Sequence, residues 1–238
     1  MEANFQRSLA VTLQYEGGWS DNPADPGGAT MKGVTIGTYR RRHPNATKAD
    51  LRAISDAELS AIYCAEYWNP IGGNSLASGV DLATFDAAVN SGPGRANGWL
   101  KASLGGSGAE TVKRICAKRL GFMEGLKIWK NFGKGWARRV AAIEAKGVAW
   151  ATSMPGNAAV VKKTLENEAA QANKKADRHV AVGTGGGAIG VGAPTISADH
   201  TVALLCILAV VLIAGVLVWR AHIHRERAAA YAAEAAAQ

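Results

Sequence analysis

Apolar positions recur at helical spacing through most of the chain before residue 152. Phe5, Leu9, residues 11–13 and Tyr15 fall close to the period of an α-helix, which predicts an amphipathic helix at the start of the chain. Alternation of β-branched residues is scarce, so we expect a mainly α protein in which any sheet is small. Further helices are predicted at residues 36–42, 55–67, 82–89, 96–104, 109–129 and 136–151.

Local signals mark where some of these helices begin and end. Residues 17–33 are too rich in glycine, proline and aspartate for regular helix. Ser55, followed three residues later by Glu58, has the sequence of a capping box and predicts a helix start. The Asn-Ser-Gly-Pro-Gly run at residues 90–94 ends the apolar helix before it.

The strongest apolar signal lies near the C-terminus. Residues 202–219 contain no charged or strongly polar side chain. As a helix this segment would be about 27 Å long, close to the thickness of the hydrocarbon core of a bilayer. Trp219 and Arg220 stand where interfacial anchors belong. The pattern predicts one transmembrane helix.

Two polar segments precede this apolar run. Residues 155–175 have the composition of a charged helix, and residues 182–194 are glycine-rich and uncharged. Such a composition is typical of a flexible linker. Its glycine spacing resembles a phosphate-binding loop, but no strand precedes it, so we predict no nucleotide site.

Charge adds a preference for anionic partners. The 238 residues carry a net charge of +8 with an estimated pI of about 9.5. Residues 95–139 hold eleven Lys or Arg against two acids, which gives +9 in that stretch alone. Nucleic acid, anionic lipid and an acidic cell wall all fit this charge. A solvated basic helix face is the other interpretation.

Cysteines and the N-terminus add little to this picture. The three cysteines, Cys64, Cys116 and Cys206, match no metal-binding spacing and predict no disulfide framework. The first sixteen residues lack a basic segment followed by an apolar core, so we expect no ordinary signal peptide.

The densest chemical signal begins where the first helix ends. Glu16 is followed by Gly17 and Gly18, which leave room for a bulky substrate to reach the carboxylate. Trp19 offers an aromatic face of the kind on which sugar rings stack. Hydrolysis of a glycosidic bond uses a carboxylic acid as proton donor and usually a second carboxylate. Glu16 suits the donor, and Asp25 or Asp21 the partner.

A structural turn and a calcium loop are the alternative interpretations of residues 21–32. Asp-Pro-Gly-Gly is a common turn sequence. Pro23 stands where an EF-hand places its second ligand, and Lys32 stands where the loop needs its closing glutamate. The sequence therefore indicates no metal ion and no organic cofactor.

These motifs resemble those of a known family. The run EGGWSDNPADPGGATMKGVT, residues 16–35, resembles the signature of glycoside hydrolase family 108, a family of bacterial and phage muramidases. Residues 65–71 resemble its Tyr-Trp segment, and residues 85–96 are similar to the run that opens its companion peptidoglycan-binding module. Residues 119–140 continue that module, so the resemblance covers roughly residues 5–150.

The resemblance implies roles for individual residues. Glu16 matches the catalytic acid, while Asp25 and Thr30 match positions in the adjacent glycine-rich loop. Asp25 is either a catalytic partner or an organiser of that loop. Three further residues, beside Trp19, are implied to contact the glycan, although each also suits a core or turn role: Tyr67, Trp68 and Asn90.

The implied architecture has five parts. A lysozyme-like helical domain at residues 1–84 is followed by a helical wall-binding module at 85–152. A charged helix and linker occupy residues 153–200. The transmembrane helix at 201–220 and a short basic, alanine-rich tail at 221–238 complete the chain.

The implied function is hydrolysis of the β-1,4 bond between N-acetylmuramic acid and N-acetylglucosamine. Expected partners are peptidoglycan glycan strands and a lipid bilayer, with no nucleic acid. An enzyme anchored in an inner membrane and acting on the periplasmic wall would serve phage lysis or secretion across the wall. A membrane-tethered binding protein without turnover and a holin-like protein are the alternatives. Basic residues after the apolar run favour an external enzyme domain, whereas the missing signal peptide favours a cytoplasmic one.

Overall fold

The computed structural model describes residues 2–22, 28–183 and 200–238, and this part of the chain is mainly α-helical, as predicted. The helices, in chain order, are α1 Glu2–Leu13, α2 Ile36–Arg40, α3 Lys48–Arg52, α4 Asp56–Tyr63, α5 Val80–Ser91, α6 Pro93–Lys101, α7 Gly108–Glu124, α8 Trp129–Thr152, α9 Ala158–Gly183 and α10 His200–Ala236. A π-helix, Cys64–Trp68, continues α4, and two short 3₁₀ turns follow at Asn69–Ile71 and Gly73–Ser75. The strands are β1 Trp19–Ser20, β2 Thr30–Met31 and β3 Val34–Thr35.

The chain forms two compact units. The first ends at Lys127 and also includes Trp150–Thr152, whereas the second consists of Ile128–Ala149 and Ser153–Gln238. The domain boundary predicted between residues 84 and 85 falls inside α5, within the first unit. The remaining predicted segments from residue 153 onward belong to the second unit together with most of α8.

Helix α5 is the centre of the first unit. Every side chain from Val80 to Ala88 is buried, so the helix has neighbours on all sides and needs no polar face. Its Phe85 ring lies 5.9 Å from that of Phe5 on α1 and 5.5 Å from that of Trp68 in the π-helix. These contacts join the opening amphipathic helix to the core, as its apolar spacing predicts.

Local capping sets several helix starts. The predicted box between Ser55 and Glu58 is confirmed: the Ser55 hydroxyl accepts from the Glu58 amide, and the Glu58 carboxylate accepts from the Ser55 amide. Equivalent boxes begin α3, at Thr47, and α7, at Ser107. Each satisfies backbone donors that a helix start otherwise leaves without partners.

The second unit is built on a long helical pair. Helix α10 packs along α9, and the backbones approach so closely that a Cβ on Gly183 would lie 3.3 Å from Leu217 Cβ. The predicted tail from residue 221 is the continuation of α10. In the described ranges one helix, over Leu208–Ala236, is long and apolar enough to cross a membrane. The predicted linker at 182–194 lies outside the described residues from residue 184 on.

Candidate active site

A small antiparallel sheet carries the loop that faces Glu16. β1 pairs with β2 and β2 with β3, in the register Thr30 opposite Thr35 and Met31 opposite Val34. The two residues between β2 and β3, Lys32 and Gly33, have φ values of 47° and 78°. Positive φ at both central positions is what a two-residue type I′ hairpin requires.

Gly33 forms the contact between this hairpin and Glu16. A Cβ added to Gly33 would lie 2.4 Å from Tyr63 Oη and 3.0 Å from Glu16 Oε2. No side chain fits in that space, so only glycine allows both groups to approach the hairpin. The Tyr63 hydroxyl donates to the carbonyl of Lys32 at 2.8 Å, which fastens the turn to the end of α4.

The backbone after α1 holds Glu16 in place. The amides of Gln14, Tyr15 and Glu16 each donate to a carbonyl three residues earlier, at 3.0–3.3 Å. The side chain of Glu16 is half-buried, while the two glycines after it are exposed. A Cβ on either glycine would meet no described atom within 4 Å, so the approach to the carboxylate is open on this side.

Tyr67, a residue of the π-helix, lies on the same side of the helix as Tyr63. Its ring centroid is 5.4 Å from that of Tyr63. Burial raises the pKa of the Tyr67 hydroxyl, the charges of Glu66 and Glu16 raise it further, and Arg41 opposes them. The phenol therefore keeps its proton at neutral pH and can donate a hydrogen bond. A π-helix is often found at functional sites.

An ion pair lies beside Tyr67. Arg41 Nη2 lies 2.7 Å from Glu66 Oε2, and both charges act on Tyr67. The sequence motifs alone predict no site role for Tyr63, Glu66 or Arg41. The only available signal was the spacing of Tyr63 and Tyr67, four residues apart and thus on one helix face.

The other predicted site residues have local partners. Trp19 is half-buried in β1, and the Arg52 guanidinium lies 5.6 Å from its ring centroid. Thr30 Oγ1 donates to the Gly28 carbonyl at 3.1 Å. Asn90, half-buried near the end of α5, accepts from the Ser91 hydroxyl at 3.2 Å.

Trp68 occupies the core position that the sequence left open as its alternative role. Only 1% of this residue is exposed, and its indole N–H donates to Asn74 Oδ1 at 3.0 Å. Its ring packs on Phe5 and Phe85. Trp68 thus supports the π-helix from the core, while Tyr67 faces the Glu16 side.

The sequence predicts Asp25 or Asp21 as the partner of Glu16. Asp25 lies outside the described residues, so its role stays a prediction. Asp21 pairs with Lys48 at 2.9 Å on the surface. Within the described ranges, no group of three His, Cys, Asp or Glu side chains is placed to hold a metal ion.

Comparison with known proteins defines the class of this site. The sequence profile described as Glycosyl hydrolase 108 matches residues 9–92, a range that contains Glu16, the hairpin, Tyr63 and Tyr67. The structure of Brucella abortus SagA is 30% identical, with a TM-score of 0.57, and the match covers 64% of this chain and 98% of SagA. No curated protein matches the chain. The first unit therefore contains a glycoside hydrolase domain.

The particular family follows from the same two matches. The chain belongs to the glycosyl hydrolase 108 family.

Proposed function

We propose that this protein is an N-acetylmuramidase that cleaves the β-1,4 bond between N-acetylmuramic acid and N-acetylglucosamine in peptidoglycan. The observation that carries the proposal is the position of Glu16. Its carboxylate lies against Gly33 beside Tyr63, and the exposed Gly17–Gly18 segment leaves the other side open to a polymer.

Glu16 acts as the general acid in this proposal. It protonates the glycosidic oxygen as the bond to the sugar breaks, and the ring passes through an oxocarbenium-like transition state. The hairpin and the end of α4 restrict the carboxylate, so little reorganisation precedes proton transfer. Asp25 is the proposed partner, either activating water or organising the loop.

The neighbouring polar groups have a supporting role. The protonated Tyr67 hydroxyl is a hydrogen-bond donor beside the acid, and the face of Trp19 offers a stacking surface for a sugar ring. Thr30 and Asn90 complete the proposed glycan-contacting set. No cofactor takes part in this chemistry.

Product analysis tests the bond specificity. Purified sacculi digested by the full chain should yield soluble fragments whose reducing ends are N-acetylmuramic acid. Reducing N-acetylglucosamine ends would assign the other glycosidic bond and contradict the muramidase proposal. Glycan binding with no fragments at all would instead support the tethered binding protein without turnover.

In this proposal, the second unit anchors the enzyme to a membrane. The apolar residues 202–219 tether the chain to a bacterial inner membrane, from which the domain reaches the periplasmic wall during phage lysis or secretion. The basic residues 95–139 favour an anionic wall polymer over a neutral one.

A further inference from the structure

An arginine on α6 is held in a fixed orientation and still has hydrogen-bond donors to offer. Arg95 is exposed, its guanidinium carbon lies 4.7 Å from the ring centroid of Phe122 on α7, and its Nη1 donates to the Ser91 carbonyl at 3.1 Å. No acceptor in the described part of the chain binds its Nε or its Nη2. These two nitrogens share one edge of the guanidinium, which can bind a carboxylate through two parallel hydrogen bonds.

Two aromatic rings support this guanidinium. Trp99 lies one turn after Arg95 on α6, and its ring centroid is 5.6 Å from that of Phe122. Both rings are half-buried, so Trp99 holds Phe122 in place while part of each ring stays accessible. An arginine stacked on an aromatic ring loses less freedom when its remaining donors bind a ligand. Arg95, Trp99 and Phe122 are called the α6–α7 platform below.

Glycines leave the helix surface beside the platform bare. Gly94 and Gly98 lie one turn apart on α6, and Gly121 precedes Phe122 on α7. None of the three has a positive φ, and a Cβ on any of them would meet no described atom within 4 Å. Neither backbone conformation nor packing therefore requires glycine there, although glycine destabilises a helix relative to alanine. The missing side chains keep the approach to the α6–α7 platform open.

The charge around the α6–α7 platform is positive. Residues 87–109 contain no acid but include Arg95 and Lys101. The two acids of α7, Glu110 and Glu124, lie at its ends, and Glu110 already caps the start of that helix. The platform is therefore complementary to an anionic ligand.

Two hydrogen bonds connect α6 to segments that carry proposed glycan contacts. Asn97 Nδ2 donates to the Pro70 carbonyl at 3.0 Å, and Pro70 follows Tyr67 by three residues. The Ser91 carbonyl, which accepts from α6, belongs to the residue after Asn90. The α6–α7 platform thus adjoins both segments, although it lies beyond the last residue of the matched family profile.

Peptidoglycan carries an anion within reach of such a site. The lactyl group of N-acetylmuramic acid is amide-linked to a stem peptide, and the free carboxylates belong to that peptide. A stem of four residues reaches up to about 14 Å from the glycan when fully extended. A site outside the catalytic cleft can therefore bind a stem carboxylate while the glycan lies beside Glu16.

We propose that the α6–α7 platform binds a carboxylate of the peptidoglycan stem peptide. Arg95 Nε and Nη2 donate to the two carboxylate oxygens, while Phe122, supported by Trp99, fixes the plane of the guanidinium. The contact favours peptide-bearing glycan over bare glycan. This inference rests on the proposed muramidase function for its substrate, but the contact itself does not depend on turnover.

Pelleting with sacculi tests the contact in the Glu16→Gln chain, which removes turnover from the measurement. Sacculi free of teichoic acid are used either untreated or after a carbodiimide and ammonia have converted their carboxyl groups to amides. Adding Arg95→Ala to the full chain, in mild detergent, should weaken binding to untreated sacculi by about fivefold. On amidated sacculi Arg95→Ala should have no effect, because the carboxylate that it binds is gone.

Arg42→Ala is the matched control for the loss of one positive charge. Arg42 is also exposed and also donates to a backbone carbonyl, that of Ala61 on α4, so its removal should leave the affinity for sacculi nearly unchanged. An Arg95→Ala loss no larger than the Arg42→Ala loss would overturn the proposal. A loss of the same size on amidated sacculi would also overturn it, since the partner of Arg95 would then be a neutral group.

Phe122→Leu tests the role of the aromatic ring. It keeps an apolar side chain in place but removes the surface on which the guanidinium stacks, so binding to untreated sacculi should weaken. Adding Phe122→Leu to Arg95→Ala should cause no further loss, because both substitutions act on the same contact. Additive losses would mean that Phe122 does not act through Arg95 and would contradict the platform.

Turnover by the chain with Glu16 intact separates this inference from the proposed function. Arg95→Ala should raise the apparent KM for sacculi by about fivefold and leave kcat unchanged, because the contact lies away from the reacting bond. A fall in kcat instead would place Arg95 in the chemical step and contradict the proposal. A parent chain that releases no fragments would overturn the muramidase function, whereas the pelleting result would still decide the stem-peptide contact.

Discussion

At the scale of single residues, Gly33 is the position on which the geometry around Glu16 depends most. Its positive φ closes the hairpin, and its missing side chain admits both the Tyr63 hydroxyl and the Glu16 carboxylate. The absence of a side chain at Gly33 therefore sets how closely the hairpin approaches the Glu16 carboxylate.

Replacing Gly33 with alanine should therefore lower the rate of glycan hydrolysis strongly, with a smaller effect on the free energy of unfolding. The added methyl displaces Tyr63 and Glu16, and a misplacement of about 1 Å can cost on the order of 10²-fold in rate. Gly37→Ala is the matched control, because the nearest atom to its added Cβ is 3.8 Å away. Turnover on sacculi checks this, and equal activity of the two variants would contradict the assigned geometry.

At the scale of elements, a buried ion pair joins two helices of the first unit. Arg119 of α7 and Asp86 of α5 are both fully buried, 2.6 Å apart. They link the central helix of the hydrolase unit to a helix beyond the matched family profile.

Replacing one partner of this pair should lower the free energy of unfolding more than replacing both partners together. Arg119→Met removes the buried cation that pairs with the Asp86 carboxylate, and breaking a buried ion pair in this way typically costs about 3–5 kcal/mol of unfolding free energy. The double variant with Asp86→Asn should recover part of that loss. Denaturant unfolding of both single variants and the double variant measures this, and additive losses would exclude direct coupling.

Helix α5 also carries a buried acid at its first turn. Burial raises the pKa of Asp81 above its ordinary value of 3.8, while hydrogen bonds from the amides of Leu82 and Gly79 and the charge of Arg7 act against it. A raised folded pKa contributes stability that is present below 3.8 and is lost as pH rises through the folded pKa.

The stability of Asp81→Asn relative to the parent should therefore increase as the pH rises. The difference in unfolding free energy, variant minus parent, becomes more positive from acid toward neutral pH, because only the parent must ionise a buried carboxyl. Denaturant titrations across that range test the sign. A difference that falls with pH would contradict this account of Asp81.

The helices could be predicted from sequence better than the site. Ser55 and Glu58 form a capping box through contacts three residues apart, so local sequence is sufficient. The contact of Tyr63 with Lys32 joins residues 31 apart and is decided by packing. The contact of Tyr231 with Glu144 joins residues 87 apart, so the composition of residues 221–238, a basic and alanine-rich tail, cannot reveal it.

At the scale of the whole molecule, the described chain divides into two compact units. The first contains the glycosyl hydrolase 108 domain, in which Glu16, the proposed acid, follows the apolar helix α1. The second contains the antiparallel helices α9 and α10, and α10 is long and apolar enough over Leu208–Ala236 to cross a membrane.

The turnover of purified sacculi by Glu16→Gln tests the central claim most directly. The isosteric amide cannot donate the proton, so release of soluble muropeptides should fall by about 10²–10⁴-fold while the circular dichroism spectrum is unchanged. Glu124→Gln, an exposed acid on α7, is the control and should keep the parent rate. Release by Glu16→Gln within about twofold of the parent would show that Glu16 is not the general acid.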